Sequence, residues 1–87
     1  MEIDYTDDAK SDVLFWKKSG NKSIQKKINQ LLSSIQETPC SGIGKPEALK
    51  HRMSGLWSRR IDKEHRLIYE IDEELKIIIV HSLKGHY

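Results

Sequence analysis

The chain has 87 residues, of which 37% are hydrophobic and 32% are charged. These values are typical of a soluble globular protein, and the length predicts a single domain, residues 1–87, with a modest core. No apolar run approaches the roughly 20 residues that a membrane-spanning helix needs, and the N-terminus lacks the basic and apolar regions of a signal peptide. One cysteine, Cys40, excludes an internal disulfide and is typical of a cytoplasmic protein. The four histidines and this cysteine show no metal-ligand spacing, so we expect no metal or other cofactor.

The positive charge is concentrated in the middle third of the chain, although the net charge is only +2. Residues 45–66 contain seven basic and three acidic side chains, whereas residues 1–44 contain six of each. Such a cluster predicts an anionic partner, most often a nucleic acid. A solvated surface linked by salt bridges is the alternative.

The N-terminal half is predicted to form a short strand and two helices. Residues 1–5 alternate like a strand, and Thr6 is a good N-cap for a helix that continues to about Lys18. Gly20 suits a left-handed cap at the end of that helix. A second helix is predicted over residues 22–37, because its apolar side chains recur at helical spacing. These side chains are Ile24, Ile28, Leu31, Leu32 and Ile35.

The C-terminal half changes from helical spacing to strand alternation after a glycine- and proline-rich loop, residues 39–46. Residues 47–51 are compatible with a short strand or a turn. Three strands are predicted over residues 56–61, 66–71 and 75–83, the last of which has an apolar stretch typical of a central strand. The pattern therefore predicts an α+β fold, in which two N-terminal helices pack on one face of a mainly antiparallel four-stranded sheet.

The hairpin between the strands at 56–61 and 66–71 decides which side chains share the uncovered face of the sheet. If residues 62–64 form a three-residue loop, Arg60 lies opposite Arg66, whereas a two-residue loop would shift the pairing and separate the arginines. In the first register the buried side carries Trp57, Ile61, Leu67, Tyr69 and Ile71, with Arg59 and His65 near its edge. The open side carries Ser58, Arg60, Arg66 and Glu70.

Arg60 and Arg66 are then a candidate phosphate clamp. Two arginines directly opposite each other repel unless an anion lies between them, and guanidinium groups bind phosphate in a bidentate manner. The alternative is that each arginine pairs with a nearby glutamate: Glu47, Glu64 or Glu70.

RNA cleavage without a metal needs a base for the 2′-hydroxyl, an acid for the leaving 5′-oxygen and a fixed cation near the phosphate. Glutamate, histidine and arginine can fill these roles. Most sequences contain all three residue types, so composition alone does not select Glu47 or His86 for catalysis.

Four blocks of sequence resemble the YoeB (Txe) family of the RelE/ParE toxin superfamily, and the resemblance covers nearly the whole chain. Their order and spacing make the resemblance specific. The blocks are Gly-Lys-Pro-Glu-Ala-Leu-Lys-His at residues 44–51, Ser-Gly-Leu-Trp-Ser-Arg-Arg-Ile at residues 54–61, Glu-His-Arg-Leu-Ile-Tyr at residues 64–69 and the terminal His86-Tyr87.

The resemblance implies roles for individual residues. Glu47 resembles the general base, Arg66 the group that stabilises the phosphorane-like transition state, and His86 the general acid. Tyr87 resembles the residue that positions or stacks on the nucleotide. The side chains implied to face phosphate and ribosomal RNA are Lys50, His51, Arg59 and Arg60.

The resemblance also implies a fold like that of small microbial ribonucleases and a function as the toxin of a type II toxin–antitoxin system. Its members are metal-independent endoribonucleases that cut mRNA in the ribosomal A site and leave a 2′,3′-cyclic phosphate. The implied partners are the ribosome-bound mRNA, a YefM-like antitoxin with a disordered C-terminal segment, and a second copy of the toxin, without a membrane partner.

The chain departs from many members of this family at Gly85, where an aromatic residue is common. We expect glycine to make the tail that carries His86 and Tyr87 more mobile. Two other functions compete with the nuclease. A non-enzymatic ParE-like toxin is not expected to combine Glu47, Arg66 and His86, and an RNA-binding module needs only the basic stripe.

Overall fold

The N-terminal half contains one strand and two helices, as expected. The structure, a computed structural model, describes residues 1–85; the predicted site residues His86 and Tyr87 lie outside this range. Strand β1 spans Glu2–Tyr5, helix α1 spans Asp7–Ser19 and helix α2 spans Lys22–Glu37. The Thr6 hydroxyl caps α1 by accepting a hydrogen bond from the Ala9 N–H at 3.1 Å, and Gly20 ends α1 with a φ of 72°.

The described residues form one sheet of five strands in the order β1-β5-β4-β3-β2. The four-stranded prediction is therefore wrong by one strand, because Glu47 and Ala48 pair with Ser58 and Trp57 at the sheet edge. Strand β1 is parallel to β5, and the other pairs are antiparallel. The C-terminal strands are β2 (Glu47–Ala48), β3 (Leu56–Arg60), β4 (Arg66–Asp72) and β5 (Ile77–Ser82).

The hairpin between β3 and β4 has the register that a three-residue loop predicts. Arg60 lies opposite Arg66. Asp62 holds the turn, since its Oδ1 accepts hydrogen bonds from the Glu64 N–H at 2.8 Å and the His65 N–H at 2.7 Å. The side-chain turn satisfies two backbone donors that the short loop leaves without strand partners.

Both helices pack on one face of the sheet, and the core lies between these two layers. Leu31 and Ile35 of α2 are fully buried there, and burying such a side chain contributes roughly 1.5–3 kcal/mol. The strand residues expected on the covered side all belong to this core: Ile61, Leu67 and Tyr69 are buried, and Trp57 and Ile71 are partly buried. Neither helix in the described range is long and apolar enough to cross a membrane.

Candidate functional site

The uncovered face of the sheet brings together three of the predicted site residues. Strand β2 places Glu47 opposite Ser58 of β3, and two residues further along β3 Arg60 lies opposite Arg66 of β4. Side chains two residues apart on a strand share a face, and so do directly paired residues. Glu47, Arg60 and Arg66 therefore project from the same face, with Glu47 and Arg60 exposed and Arg66 partly buried.

The sheet residues that lie between these charged groups are buried. Ser58 is fully buried and Ile68, its partner on β4, is only 5% exposed. Ser58 was expected on the open side, and its strand register agrees, but its side chain is covered. Its Oγ has no hydrogen-bond partner within residues 1–85.

The Arg60 side chain is exposed, and it forms no hydrogen bond or ion pair with another side chain in the described part of the chain. Glu70, one of the carboxylates considered as a partner for the arginines, lies 2.9 Å from His81 Nε2 instead. Two cationic side chains directly across a strand pair favour an anion between them. This geometry suits the phosphate clamp predicted for Arg60 and Arg66.

Lys50 and His51 are exposed and lie at the other end of β3 from Arg60. The Leu49 N–H, directly before them in the chain, donates to the Leu56 carbonyl at the start of β3. From Leu56 to Arg60 the strand extends roughly 13 Å, at about 3.3 Å per residue. Basic groups therefore flank Glu47 on both sides along the strand direction.

Arg59 does not face the open side, and its predicted contact with phosphate or RNA is wrong. It pairs with Leu67 on the covered face, where its side chain is 0% exposed. Its guanidinium is surrounded by acceptors of the protein itself. The donors pair as Nε to Tyr69 Oη, Nη1 to Ser34 Oγ and the Ile43 carbonyl, and Nη2 to the carbonyls of Thr38, Pro39 and Ser41. Strand alternation had already placed Arg59 on the covered side, but it gave no indication of these partners.

The segment after β5 is tied to helix α1. The Trp16 indole Nε1–H donates to the Leu83 carbonyl at 2.8 Å, and the Leu83 N–H donates to Asp12 Oδ2 at 2.9 Å. The Trp16 and His65 rings also make a T-shaped contact, with ring centroids 4.9 Å apart. Helix α1 thus holds the chain where it leaves the sheet.

Gly85 is tied to the start of β4. Its N–H donates to His65 Nδ1 at 2.8 Å, and its carbonyl accepts a hydrogen bond from the Arg66 N–H at 3.1 Å. Gly85 was expected to loosen the tail, yet it is itself held on both sides. The predicted general acid His86 and the nucleotide-positioning Tyr87 follow it in sequence, outside the described residues.

Within residues 1–85, no group of three or more histidine, cysteine, aspartate or glutamate side chains could hold a metal ion. The open face carries more basic side chains than carboxylates, and one of its carboxylates, Glu70, lies 2.9 Å from His81 Nε2. This donor set suits a polyanion better than a divalent cation.

Comparison with known protein families shows which family the chain belongs to. The family of YoeB-like toxins of bacterial type II toxin–antitoxin systems matches residues 5–87. The chain belongs to this family. Toxin YoeB of Escherichia coli K12 is 40% identical over 87 residues, which cover both chains completely.

Solved structures of YoeB-like toxins have the same fold. The YoeB/ParE toxin from Agrobacterium tumefaciens superposes with a TM-score of 0.94 and 37% identity over the full length of both chains. The toxin in a heterotetrameric YoeB–YefM complex from Staphylococcus aureus superposes with a TM-score of 0.87 and 41% identity, over 100% of this chain and 98% of that one. A YoeB dimer from the same organism gives the same TM-score and identity.

In this YoeB-like toxin, the sequence predicted which charged side chains lie on the open face. It did not predict the side chains that hold the loop before Glu47 or residues 83–85. Asp12, Trp16 and His65 secure residues 83–85, and Arg59 holds the loop before Glu47. His65 lies in a motif block and Trp16 in the predicted first helix. Neither observation indicated a contact with the C-terminal segment.

Proposed function

We propose that this YoeB-like toxin is a ribosome-dependent endoribonuclease that cleaves mRNA in the A site. The observation that carries the proposal is the shared face of Glu47, Arg60 and Arg66, reached from three adjacent strands. A carboxylate beside a pair of cations on an exposed, flat surface suits a phosphodiester held in place by a larger particle. The family membership supports the same chemistry.

The proposed reaction needs no metal ion. Glu47 takes the proton from the 2′-hydroxyl, and the 2′-oxygen attacks the adjacent phosphorus. Arg66, supported by Arg60, stabilises the charge that builds on the phosphate oxygens. The bond from phosphorus to the 5′-oxygen breaks, and His86 protonates that oxygen while Tyr87 positions the nucleotide. The products are a 2′,3′-cyclic phosphate and a 5′-hydroxyl.

Ribosome dependence fits the small number of groups that the open face offers for binding a free strand. Lys50 and His51 at one end of β3 and Arg60 at the other are proposed to contact the phosphates of mRNA and ribosomal RNA. The substrate strand would then be held mainly by the ribosome. Cleavage on the ribosome also implies that the toxin acts in the cytoplasm.

The proposed regulator is a YefM-like antitoxin whose disordered C-terminal segment folds onto the toxin. The Staphylococcus aureus YoeB–YefM complex supports this partner, because the two toxins share the fold and 41% of their residues. Coupled folding and binding suits an exposed site that a partner can cover or distort. The Staphylococcus aureus YoeB dimer likewise supports a homodimer of this chain.

The test is a purified translation system in which mRNA ends are mapped by primer extension. The unmodified protein should cut within the A-site codon, while Glu47→Ala and Arg66→Ala should each reduce the cleavage rate by about 10²–10⁴-fold. A chain that ends at Gly85 should be similarly impaired. Glu74→Ala, an exposed change in the turn between β4 and β5, is the control and should cut normally.

The outcomes separate the competing functions. Intact message with the unmodified protein would exclude the nuclease and favour a ParE-like toxin or an RNA-binding module. Equal cleavage of naked mRNA would exclude ribosome dependence alone. Normal cutting by the chain that ends at Gly85 would exclude His86 as the acid while leaving the nuclease in place.

A further inference from the structure

Arg59 is a buried cation without an ionic partner among the acceptors that surround it. Its side chain is fully buried, and its three nitrogens donate to six acceptors in residues 34–69. Each acceptor is a hydroxyl or a backbone carbonyl. A buried charge is tolerated only when its donors are satisfied, so the position of these oxygens and the position of Arg59 depend on each other.

Four of the six acceptors are carbonyls of one short loop. The carbonyls of Thr38, Pro39, Ser41 and Ile43 all point at the guanidinium, so the loop is wrapped around it. Wrapping a loop around a single cation couples its residues to one another. Displacing one carbonyl changes the hydrogen bonds of the rest.

Tyr69 closes this arrangement from β4. Its hydroxyl accepts from Arg59 Nε at 3.1 Å and donates to the Pro39 carbonyl at 2.6 Å. Burial raises the pKa of Tyr69 above 10.0, although the hydrogen bond and charge of Arg59 act in the opposite direction. The phenol therefore stays neutral and remains a donor to the loop.

The loop ends in close contact with the core just before Glu47. The Gly44 carbonyl accepts a hydrogen bond from the Arg60 N–H at 2.7 Å, and a Cβ at Gly44 would lie 2.6 Å from Leu31 Cδ2. Gly44 also has a φ of 82°, which a side chain would disfavour. Only Lys45 and Pro46 separate this fixed point from Glu47.

Strand β2 contributes little of its own to the position of Glu47. It consists of two residues at the edge of the sheet and pairs only with β3. A two-residue edge strand forms few ladder hydrogen bonds, so the loop that precedes it determines where it lies. We propose that Arg59, together with Tyr69, is a positioning residue that sets Glu47 against Arg60 and Arg66 for the cleavage reaction.

This inference rests on the proposed nuclease function, in which Glu47 is the base. Arg59 touches neither substrate nor reacting atoms, so its loss should affect the chemical step more than binding. A displacement of about 1 Å in a reacting group can cost on the order of 10²-fold in rate. The basic groups that bind RNA lie outside the Arg59 cluster and should keep their affinity.

The test uses Arg59→Lys and Tyr69→Phe in single-turnover cleavage on programmed ribosomes, over a range of toxin concentrations. Lysine keeps the charge but cannot reach six acceptors, and phenylalanine removes only the hydroxyl. We expect the limiting rate to fall about 100-fold and about 10-fold respectively, with the half-saturating concentration changed less than about twofold. Tyr5→Phe, a partly buried tyrosine on β1, is the matched control and should cut normally.

Amide hydrogen exchange provides a readout that is independent of cleavage and of complete unfolding. In folded Tyr69→Phe the Arg60 and Leu49 amides, which are bonded at the two ends of β2, should exchange at least about 10-fold faster. Amides of the β4–β5 ladder should be unchanged. Unchanged exchange at Arg60 and Leu49, or full cleavage rates in both folded variants, would overturn the positioning role. Absence of cleavage by the unmodified protein would instead overturn the proposed function.

Discussion

Two stretches of chain approach the candidate site from opposite sides of the β3–β4 hairpin, and they are held differently. The loop of residues 38–46, which directly precedes Glu47 at the start of β2, is wrapped around the buried Arg59. The segment of residues 83–85, which follows β5, is held by one hydrogen bond each with the side chains of Asp12, Trp16 and His65, and by the backbone N–H of Arg66. A single cation, Arg59, binds the loop of residues 38–46, whereas several separate groups each bind one part of residues 83–85.

This difference predicts how strongly a single substitution should destabilise each stretch. Loss of the shared buried cation leaves several oxygens unsatisfied together, so the loop should be destabilised as a unit. Removing one side-chain tether of residues 83–85 leaves the other contacts in place, including the hydrogen bond from the Arg66 N–H to the Gly85 carbonyl. We therefore expect larger and more cooperative effects in the loop than in the C-terminal segment.

A matched pair of glycine substitutions gives the largest expected contrast. Gly44 and Gly85 have similar φ values of 82° and 80°. A Cβ at Gly44 would meet Leu31, Arg59 and the Arg60 carbonyl, whereas one at Gly85 would meet none of the described residues 1–85 within 4 Å. We expect Gly44→Ala to lower the free energy of unfolding by about 2–3 kcal/mol and Gly85→Ala by about 1 kcal/mol. Urea denaturation measures both. Equal losses would mean that the loop is not more tightly packed than the C-terminal segment.

Trp16→Phe tests one tether of the C-terminal segment. Phenylalanine keeps most of the ring packing but loses the 2.8 Å hydrogen bond from the indole to the Leu83 carbonyl. The expected loss in unfolding free energy is about 1–2 kcal/mol. Leu14→Ala, on an exposed position of the same helix, should change it by less than about 0.5 kcal/mol. If Trp16→Phe lowers the free energy of unfolding by more than is expected for Gly44→Ala, residues 83–85 are not held by several independent contacts.

The smallest effect concerns the hairpin turn that separates the two stretches. Slight desolvation opposes the ionisation of the exposed Asp62 carboxyl. Hydrogen bonds from the Glu64 and His65 N–H groups, with the charges of His65 and Lys63, outweigh it and lower the pKa of Asp62 below 3.8. A carboxyl whose pKa is lower in the folded state stabilises the fold above its unfolded pKa and loses that contribution as the pH falls through the folded value.

Asp62→Asn should therefore cost less than about 0.5 kcal/mol at neutral pH, because the group is almost fully exposed and solvent screens it. The difference between the two proteins should disappear well below pH 3.8, the ordinary value for aspartate. Thermal denaturation from pH 2 to 7 follows this change. If the stability difference between the two proteins grows as the pH falls, the pKa of Asp62 is not lowered in the folded state.

Local rules accounted for most of the fold. Helix α2 has the predicted range, and the cap at Thr6 and the left-handed Gly20 occur where the residue types indicated them. The opposition of Arg60 and Arg66 is the register predicted for a three-residue loop, one of the two loop lengths that the sequence left open. The exceptions were the pairing of the two-residue β2 and the parallel pairing of β1 with β5, since neither leaves a periodic pattern in the sequence.

The candidate site was predicted less completely, and Arg59 and Arg60 show why. Both are neighbouring arginines in the same motif block, and the resemblance assigned both to RNA contact. Alternation separated them onto opposite faces, but only the structure revealed that one is fully buried. Residue type does not distinguish a cation that binds an external anion from one that is surrounded by the carbonyls of its own chain.

The sequence by itself determined the helices and the family, because these depend on residues close together in the chain or on motif blocks. It left two registers open for the β3–β4 hairpin, and the structure selected the one that pairs Arg60 with Arg66. The tertiary structure alone decided what holds Glu47 and the C-terminal segment. The partners of Arg59 lie 10 to 25 residues away, and those of Leu83 lie 67 and 71 residues away. Hydrogen bonds over such separations follow from how the layers pack, and no local pattern encodes them.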